Sequence, residues 1–329
     1  MKNLKKFLSL LMVAAIVTLG VSLSFAETEP AAIRVASMKG PTSMGMVKLM
    51  IDDDSGLTAQ DYDFTVAGAA TEIVPLIAQD AIDIALVPCN LASTVYNNTG
   101  KIEVAAVNTL GVLYIVENGQ TIQSIEDLRG ATIFSTGKGT TPEYGLRHVL
   151  TMAGIDPDKD VTIEYKSEAA EVLAAIKSGL CTVAMLPQPF VTAALGQVEG
   201  LRVALDLTAE WDKVNETGSM VTGVVVVRKG FLEENPEAFE TFLTEYAAST
   251  EYVNANPADE TVGSWIDSLD IAKAAIAAKA IPACNIVCIT GEEMMDSVSG
   301  YLAALYAQNP EAVGGKLPDE AFYYLGNAQ

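Results

Sequence analysis

The feature that most constrains this chain is a repeat. Residues 33–45, "IRVASMKGPTSMG", and residues 131–143, "ATIFSTGKGTTPE", each hold a β run, a loop bearing Gly and Lys, two hydroxyl residues and the start of a helical pattern. Aligning Ser37 with Ser135 places Thr42-Ser43 on Thr140-Thr141, a shift of 98 residues. Farther along, "EIVPLIAQDAIDIALVPCN" (72–90) aligns without gaps on "EVLAAIKSGLCTVAMLPQP" (171–189), a shift of 99. Each reads as a short amphipathic helix, a break, a buried strand and a proline that ends it. Two separate pairs of segments give nearly one period, which points to two similarly built lobes.

Between the paired segments each lobe carries another strand, at residues 64–67 and 161–165. Strands alternating with helices predict an α/β fold of two lobes, each a mostly parallel sheet flanked by helices. In such open sheets a ligand sits beyond the carboxyl ends of the strands. That rule selects the loops 38–43 and 88–90 in one lobe and 135–141 and 187–189 in the other. If the lobes face each other, all four loops line one cleft. Residues 104–116 read as one long β run between the halves. "TGVVVVRKG" (222–230) reads as a strand returning to the first lobe, and from Pro236 the chain is mostly helical (236–254, 259–280, 291–308). The crossings near residues 117–121 and 217–222 are the expected hinges.

The loop "FSTGKGTTPE" (134–143) has the ingredients of a nucleotide-phosphate loop but not its spacing. That motif needs four residues between its first glycine and the Gly-Lys pair, whereas six separate Gly130 from Gly137, and Gly139 follows Lys138. What remains is a loop without bulky side chains that opens onto helix N–H groups, a setting that favours an acceptor or an anion. Ser37, Thr42, Ser43, Ser135, Thr136, Thr140 and Thr141 offer hydroxyls that donate to a ligand or cap their own helices. Gly40, Gly137 and Gly139 let backbone N–H groups approach closely, and Lys39 and Lys138 could supply charge. Asn90 and Gln188 present donor and acceptor together. Met38 and Pro88 stand in the same loops, and Phe190, Tyr144, Tyr114 and Trp211 are candidate aromatic walls.

No catalytic constellation accompanies these loops. The one histidine, His148, has no cysteine or second histidine nearby in sequence and sits mid-helix, where it reads as structural. The acidic runs 52–54 and 292–293 read as solvated faces. No metal or cofactor is expected. Four cysteines in an exported chain invite disulfides. Cys284 and Cys288, however, are about 13 Å apart if extended, so a bridge between them needs a turn. Free thiols are the simpler reading, and their state stays open.

Export itself is read from the N-terminus. Lys2, Lys5 and Lys6 precede an apolar run (7–21), and Ser24-Phe25-Ala26 predicts a signal peptide cut after Ala26. No cysteine lies near that cut, so the usual lipoprotein attachment is not encoded there, and no second run has membrane length. The chain has 20 basic and 42 acidic residues; without the three leader lysines the balance is 17 to 42, a formal charge of −25. Such a charge opposes binding to nucleic acid or to an anionic membrane.

Together, "IRVASMKGPTSMG", "AIDIALVPCNLAS", "SIEDLRGATIFSTGKGTTPEYGLRHVL", "GLCTVAMLPQPFVTAAL" and "VVVVRKGFLEENPEAFETFL" carry a resemblance. The chain resembles the type II solute-binding proteins of ABC importers, within them the nitrate, taurine and aliphatic-sulfonate group, which is similar in fold to thiamine-pyrimidine-precursor binders. The resemblance implies a two-lobe periplasmic-binding-protein type II fold with a discontinuous first lobe (27–118 and 221–329) and a second lobe at 119–220. It also implies an exported, monomeric, non-enzymatic subunit, periplasmic or held at the cell surface, that closes on a small solute and delivers it to permease subunits. Only His148, Trp211 and Trp265 stand where bicarbonate and nitrate binders are commonly richer in cleft histidine or tryptophan. The facing helix N-termini and two lysines favour an organic anion such as a sulfonate or carboxylate, while the aromatic residues keep a pyrimidine-like heterocycle open. The competing reading is an enzyme on the same fold, of the pyrimidine-precursor or menaquinone-pathway type; export and the lack of a plausible active site speak against it.

Overall fold

The computed structural model describes residues 31–215 and 219–326. The expected signal peptide and residues 217 and 218 of the second expected hinge lie outside the described residues. The chain opens with β1 (Ile33–Met38), the short α1 (Pro41–Met44) and α2 (Val47–Asp54). Next come β2 (Tyr62–Ala67), α3 (Ala70–Ala78), β3 (Ile84–Pro88), α4 (Cys89–Thr99) and β4 (Ile102–Thr109). The middle of the chain forms β5 (Leu113–Asn118), β6 (Thr132–Ser135), α5 (Thr141–Met152), β7 (Thr162–Tyr165) and α6 (Ala169–Lys177). It continues through β8 (Val183–Pro187), α7 (Phe190–Gln197), β9 (Leu201–Asp206) and α8 (Leu207–Val214). The last part holds β10 (Gly223–Arg228), α9 (Lys229–Glu234), α10 (Pro236–Ala255), α11 (Glu260–Ser268), α12 (Ala274–Ala280), β11 (Ile286–Thr290) and α13 (Gly291–Gln308).

These strands form two sheets, one to a lobe, in the orders β11-β4-β10-β3-β1-β2 and β7-β6-β8-β5-β9. At the heart of each sheet the strand that enters the Gly/Lys loop pairs parallel with its two neighbours: β1 with β2 and β3, β6 with β7 and β8. Strands that return between lobes run against them, β10 beside β3 and β4, and β5 beside β8 and β9. The two repeats in sequence are therefore the two parallel cores. Valines 224–227 of β10 are all buried, because this strand is covered on both faces in the middle of its sheet. One face packs on α10 through Phe239, Phe242 and Tyr246, whose rings stack in sequence; the other packs on α4 and α13.

The structure departs from the sequence reading in three places. The long β run at 104–116 is two strands, and β5 joins the second sheet, so residues 113–118 do not belong with the first. The break falls at Leu110-Gly111, where a Cβ on Gly111 would stand 1.8 Å from the Thr208 Oγ1. Periodicity identifies a strand but does not say which sheet it joins. The expected hinge at 117–121 lies at the far end of the second sheet, held by the Glu117 carboxylate. That group accepts from the Thr121 N–H at 2.8 Å and from Arg202 at 2.6 Å. The chain crosses between sheets at 110–112 instead. Finally, the helical tail is interrupted: Asp270, at φ 55, separates α11 from α12, and β11 adds an edge strand to the first sheet. Cys288 stands in β11 and Cys284 just before it; all four cysteines are free thiols.

Candidate functional site

The carboxyl ends of the parallel strands deliver the four loops from the two sheets toward each other. In the first loop Ser37 is fully buried and its hydroxyl lies 2.8 Å from that of Ser43, which also bonds the Met38 carbonyl. These two hydroxyls hold the loop. Thr42 and Ser43 lie inside α1 rather than capping it; Gly40, at φ 123, occupies the cap position. Lys39 is exposed and its Nζ sits 2.9 Å from Asp270, so its charge is met by the chain itself. In the second loop Pro88 closes β3, and the buried Asn90 donates from Nδ2 to the Ala312 carbonyl at 3.2 Å. The same nitrogen is 3.4 Å from the carbonyl of Gly139 in the opposite lobe.

The third loop reaches this point from the other side. Ser135 and Thr136 are buried, and the Ser135 hydroxyl donates to the Thr136 carbonyl at 3.2 Å. Gly137 and Gly139 hold left-handed backbone at φ 71 and φ 78, which folds the loop tightly before α5. Lys138 is exposed, with its Nζ 6.0 Å above the Tyr165 ring. Thr140 is the cap residue of α5 by position, yet its hydroxyl donates to the Gly137 carbonyl at 2.8 Å and does not cap the helix. Thr141 is fully buried, and its hydroxyl has no hydrogen-bond partner. The Gly139 N–H donates to the Glu143 carboxylate at 2.7 Å. An acid of the chain thus already engages a loop donor that the sequence suggested for a ligand anion. In the fourth loop Gln188 is buried and its Oε1 accepts from the Thr192 hydroxyl at 2.8 Å, while Phe190 is half-buried at the start of α7.

Of the other aromatic candidates, Trp211 is core, packed between His148 at 4.4 Å and Tyr301 at 5.3 Å between ring centroids. Tyr114 and Tyr144 are half-buried, and the Tyr114 hydroxyl donates to the Ala283 carbonyl at 3.3 Å. His148 is buried, 2.9 Å from the Asn215 side-chain oxygen, and burial holds its pKa below the ordinary value. Burial also raises the pKa of the Cys89 thiol far above the range of a nucleophile. Among the described residues no group of three or more His, Cys, Asp or Glu side chains could hold a metal, and no helix is long and apolar enough to cross a membrane.

The residues that sequence reasoning missed stand at the same strand ends. Both polar atoms of Asn108 and the hydroxyls of Thr109, Thr208 and Thr222 are buried without a hydrogen-bond partner, as is the side-chain oxygen of Asn90, which the sequence had already singled out. The sequence signal was present in "VAAVNTLG", where an Asn-Thr pair ends an apolar run without an obvious turn role. Buried polar groups are ordinarily paired, so a local concentration of unpaired ones marks a place arranged for something else. Two surface concavities open elsewhere. One, of 460 Å³, lies at the amino ends of β6 and β8 beside Arg129 and Cys181; the other, of 270 Å³, lies between Lys48 and Glu245. Neither touches the four loops. The unpaired buried atoms make the strand ends the stronger site, in keeping with the position expected for open α/β sheets.

Comparison with known proteins bears on the family and the fold. Residues 55–264 match the family model described as ABC transporter, phosphonate, periplasmic substrate-binding protein. No curated protein matches the sequence. Among solved structures, an ABC transporter from Parabacteroides distasonis is 26% identical, covers 89% of this chain and 98% of its own, and superposes with a TM-score of 0.72. The periplasmic aliphatic sulphonate binding protein SsuA from Escherichia coli is 16% identical over 88% of this chain and 92% of its own, at 0.69. The alkanesulfonate-binding protein SsuA from Xanthomonas axonopodis pv. citri, bound to MOPS, is 14% identical over 88% and 96%, at 0.68.

Proposed function

This chain belongs to the phosphonate family of periplasmic substrate-binding proteins of ABC transporters, and from that membership we propose that it captures a small organic anion of the phosphonate or sulfonate type between its two lobes. It is the extracytoplasmic solute-binding component of an importer and not an enzyme; its partners are a small solute and the membrane permease. The reading of the site rests on one observation. Asn90 of the first lobe and Gly139 of the second approach to 3.4 Å, which brings a strand-end loop of each lobe together. There, buried hydroxyls and amides rather than a buried cation hold the solute, because Lys39 is already paired and Lys138 is exposed, with its Nζ over the Tyr165 ring. Neutral donors fixed by the fold can stabilise an anion in a closed site without a countercharge.

Capture proceeds by rotation of the lobes about the crossing at 110–112 and about the second crossing that leads into β10. The working form is a monomer, exported by the leader and cut after Ala26. A pyrimidine-like heterocycle is the second reading, and Glu143 favours it, since its carboxylate occupies the Gly139 N–H on which an anion would rely. Mass spectrometry of the solute released from purified, denatured protein separates the two. A sulfonate or phosphonate is the expected result. Recovery of an uncharged heterocycle, together with no calorimetric binding of ethylphosphonate or ethanesulfonate, would overturn the anion assignment.

A further inference from the structure

Asn108 is wholly buried, and neither its side-chain nitrogen nor its oxygen has a hydrogen-bond partner. Its position explains where that unused pairing capacity is directed. Val104 and Val107 of β4 belong to the hydrophobic layer under α4 and α13, while Ala105 and Ala106 belong to the layer under α10. Residue 108 falls at an irregularity of β4, where Gly223 pairs with Thr109 and Val224 with Val107, so its side is given by its contact with Gly223, which shares the α10 face of β10 with Val225 and Val227. Gly223, two residues before Val225, opens the same face and pairs with both Pro88 and Thr109 at the strand ends. The Asn108 oxygen lies 2.4 Å from where a Cβ on Gly223 would stand. Gly223 does not have a positive φ, so the backbone does not demand a glycine there. The absent side chain makes room for the carboxamide.

The amide therefore rests at the floor of the proposed cleft, on the strand ends that also carry the unpaired Thr109 and Thr222 hydroxyls and the Asn90 oxygen. An unpaired buried amide is a standing cost to folding, and no element of the fold uses this one. Its complement is restricted. A carboxamide presents two donors on nitrogen and an acceptor on oxygen, side by side. A bare anionic oxygen would satisfy the nitrogen and face the oxygen with repulsion; an alkyl group would satisfy neither.

Building on the proposed capture of an organic anion, we infer that Asn108 is a specificity-determining residue that reads the organic end of the solute. That end carries a donor and an acceptor together, as in a carboxamide, a ureido group or the lactam edge of a ring. The anionic end is left to the unpaired hydroxyls around it, Thr109, Thr208 and Thr222.

A matched pair of probes of nearly equal size, carbamoylmethylphosphonate and ethylphosphonate, tests this by calorimetry. The wild-type protein is expected to bind the carbamoyl compound at least about tenfold more tightly, the scale of one buried pair of hydrogen bonds. In Asn108→Leu that ratio falls to about one, and the solute-free protein melts at a higher temperature because the unpaired amide is gone. Gly223→Ala, which leaves Asn108 in place but intrudes on its space, reduces the ratio as well. Equal binding of the two probes by the wild type overturns the inference while leaving the anion reading intact. So does a preference that survives in Asn108→Leu while its melting temperature falls, which would assign the amide to internal packing. Failure of the wild type to bind either probe contradicts the anion reading and this inference with it.

Discussion

Single residues show how far side-chain chemistry was legible in advance. The sequence places His148 within a helix and away from its N-terminal rim, and there it stands, on the buried side of α5 against Trp211. Its Nδ1 has no partner, so burial keeps the ring neutral. The folded-state pKa lies below the ordinary 6.5, so the unfolded chain binds the proton more readily. Stability from this group is therefore full above about pH 6.5 and is lost as the pH falls toward the lower, folded value. Urea unfolding between pH 7 and pH 5 should show the wild type losing more stability than His148→Gln, and equal slopes would contradict the assignment. Carboxylate repulsion eases equally in both proteins over that interval, so the difference isolates the histidine. Hydroxyls were harder to read. Ser37, Ser43 and Thr140 have the residue type of ligand donors, yet their bonds run within the loops. Such choices depend on a few degrees of loop backbone that composition does not encode.

Elements were legible where periodicity and punctuation agree. The two parallel cores, the return strand β10 and the long helices α10 and α13 follow from apolar spacing, β-branched runs and flanking Pro or Gly. The assignment of β5 to a sheet was not legible, because strand pairing is a long-range choice made by the neighbours a strand meets. β11 was missed for a related reason: five residues between helices give too short a pattern to stand out. The crossing that separates β4 from β5 makes a prediction at this scale. A Cβ on Gly111 would meet the Thr208 Oγ1 at 1.8 Å and the Thr208 Cβ at 2.9 Å. Gly111→Ala should destabilise the protein by about 1–3 kcal/mol through overpacking. Thr208→Gly should recover part of that loss, and the double mutant should be less damaged than the sum of the singles. Additive effects in thermal unfolding would mean the two residues do not meet across the crossing.

For the whole molecule, the central claim is that both sheets contribute to one solute site at their carboxyl ends. The duplication in the sequence made the two parallel cores readable, since each copy brings its own strand, loop and helix to the same end of its sheet. It could not reveal Asn108 and Gly223, which lie on strands outside the repeat and meet only after β10 returns between β3 and β4. Hydrogen–deuterium exchange with the solute recovered from the protein at saturation tests the claim most directly. The account predicts new protection in both lobes together, at 37–43, 88–90 and 108–111 and at 135–141 and 187–190, with residues 121–134 and 180–183 around the larger concavity unchanged. Protection confined to one lobe, or centred on that concavity, would contradict it.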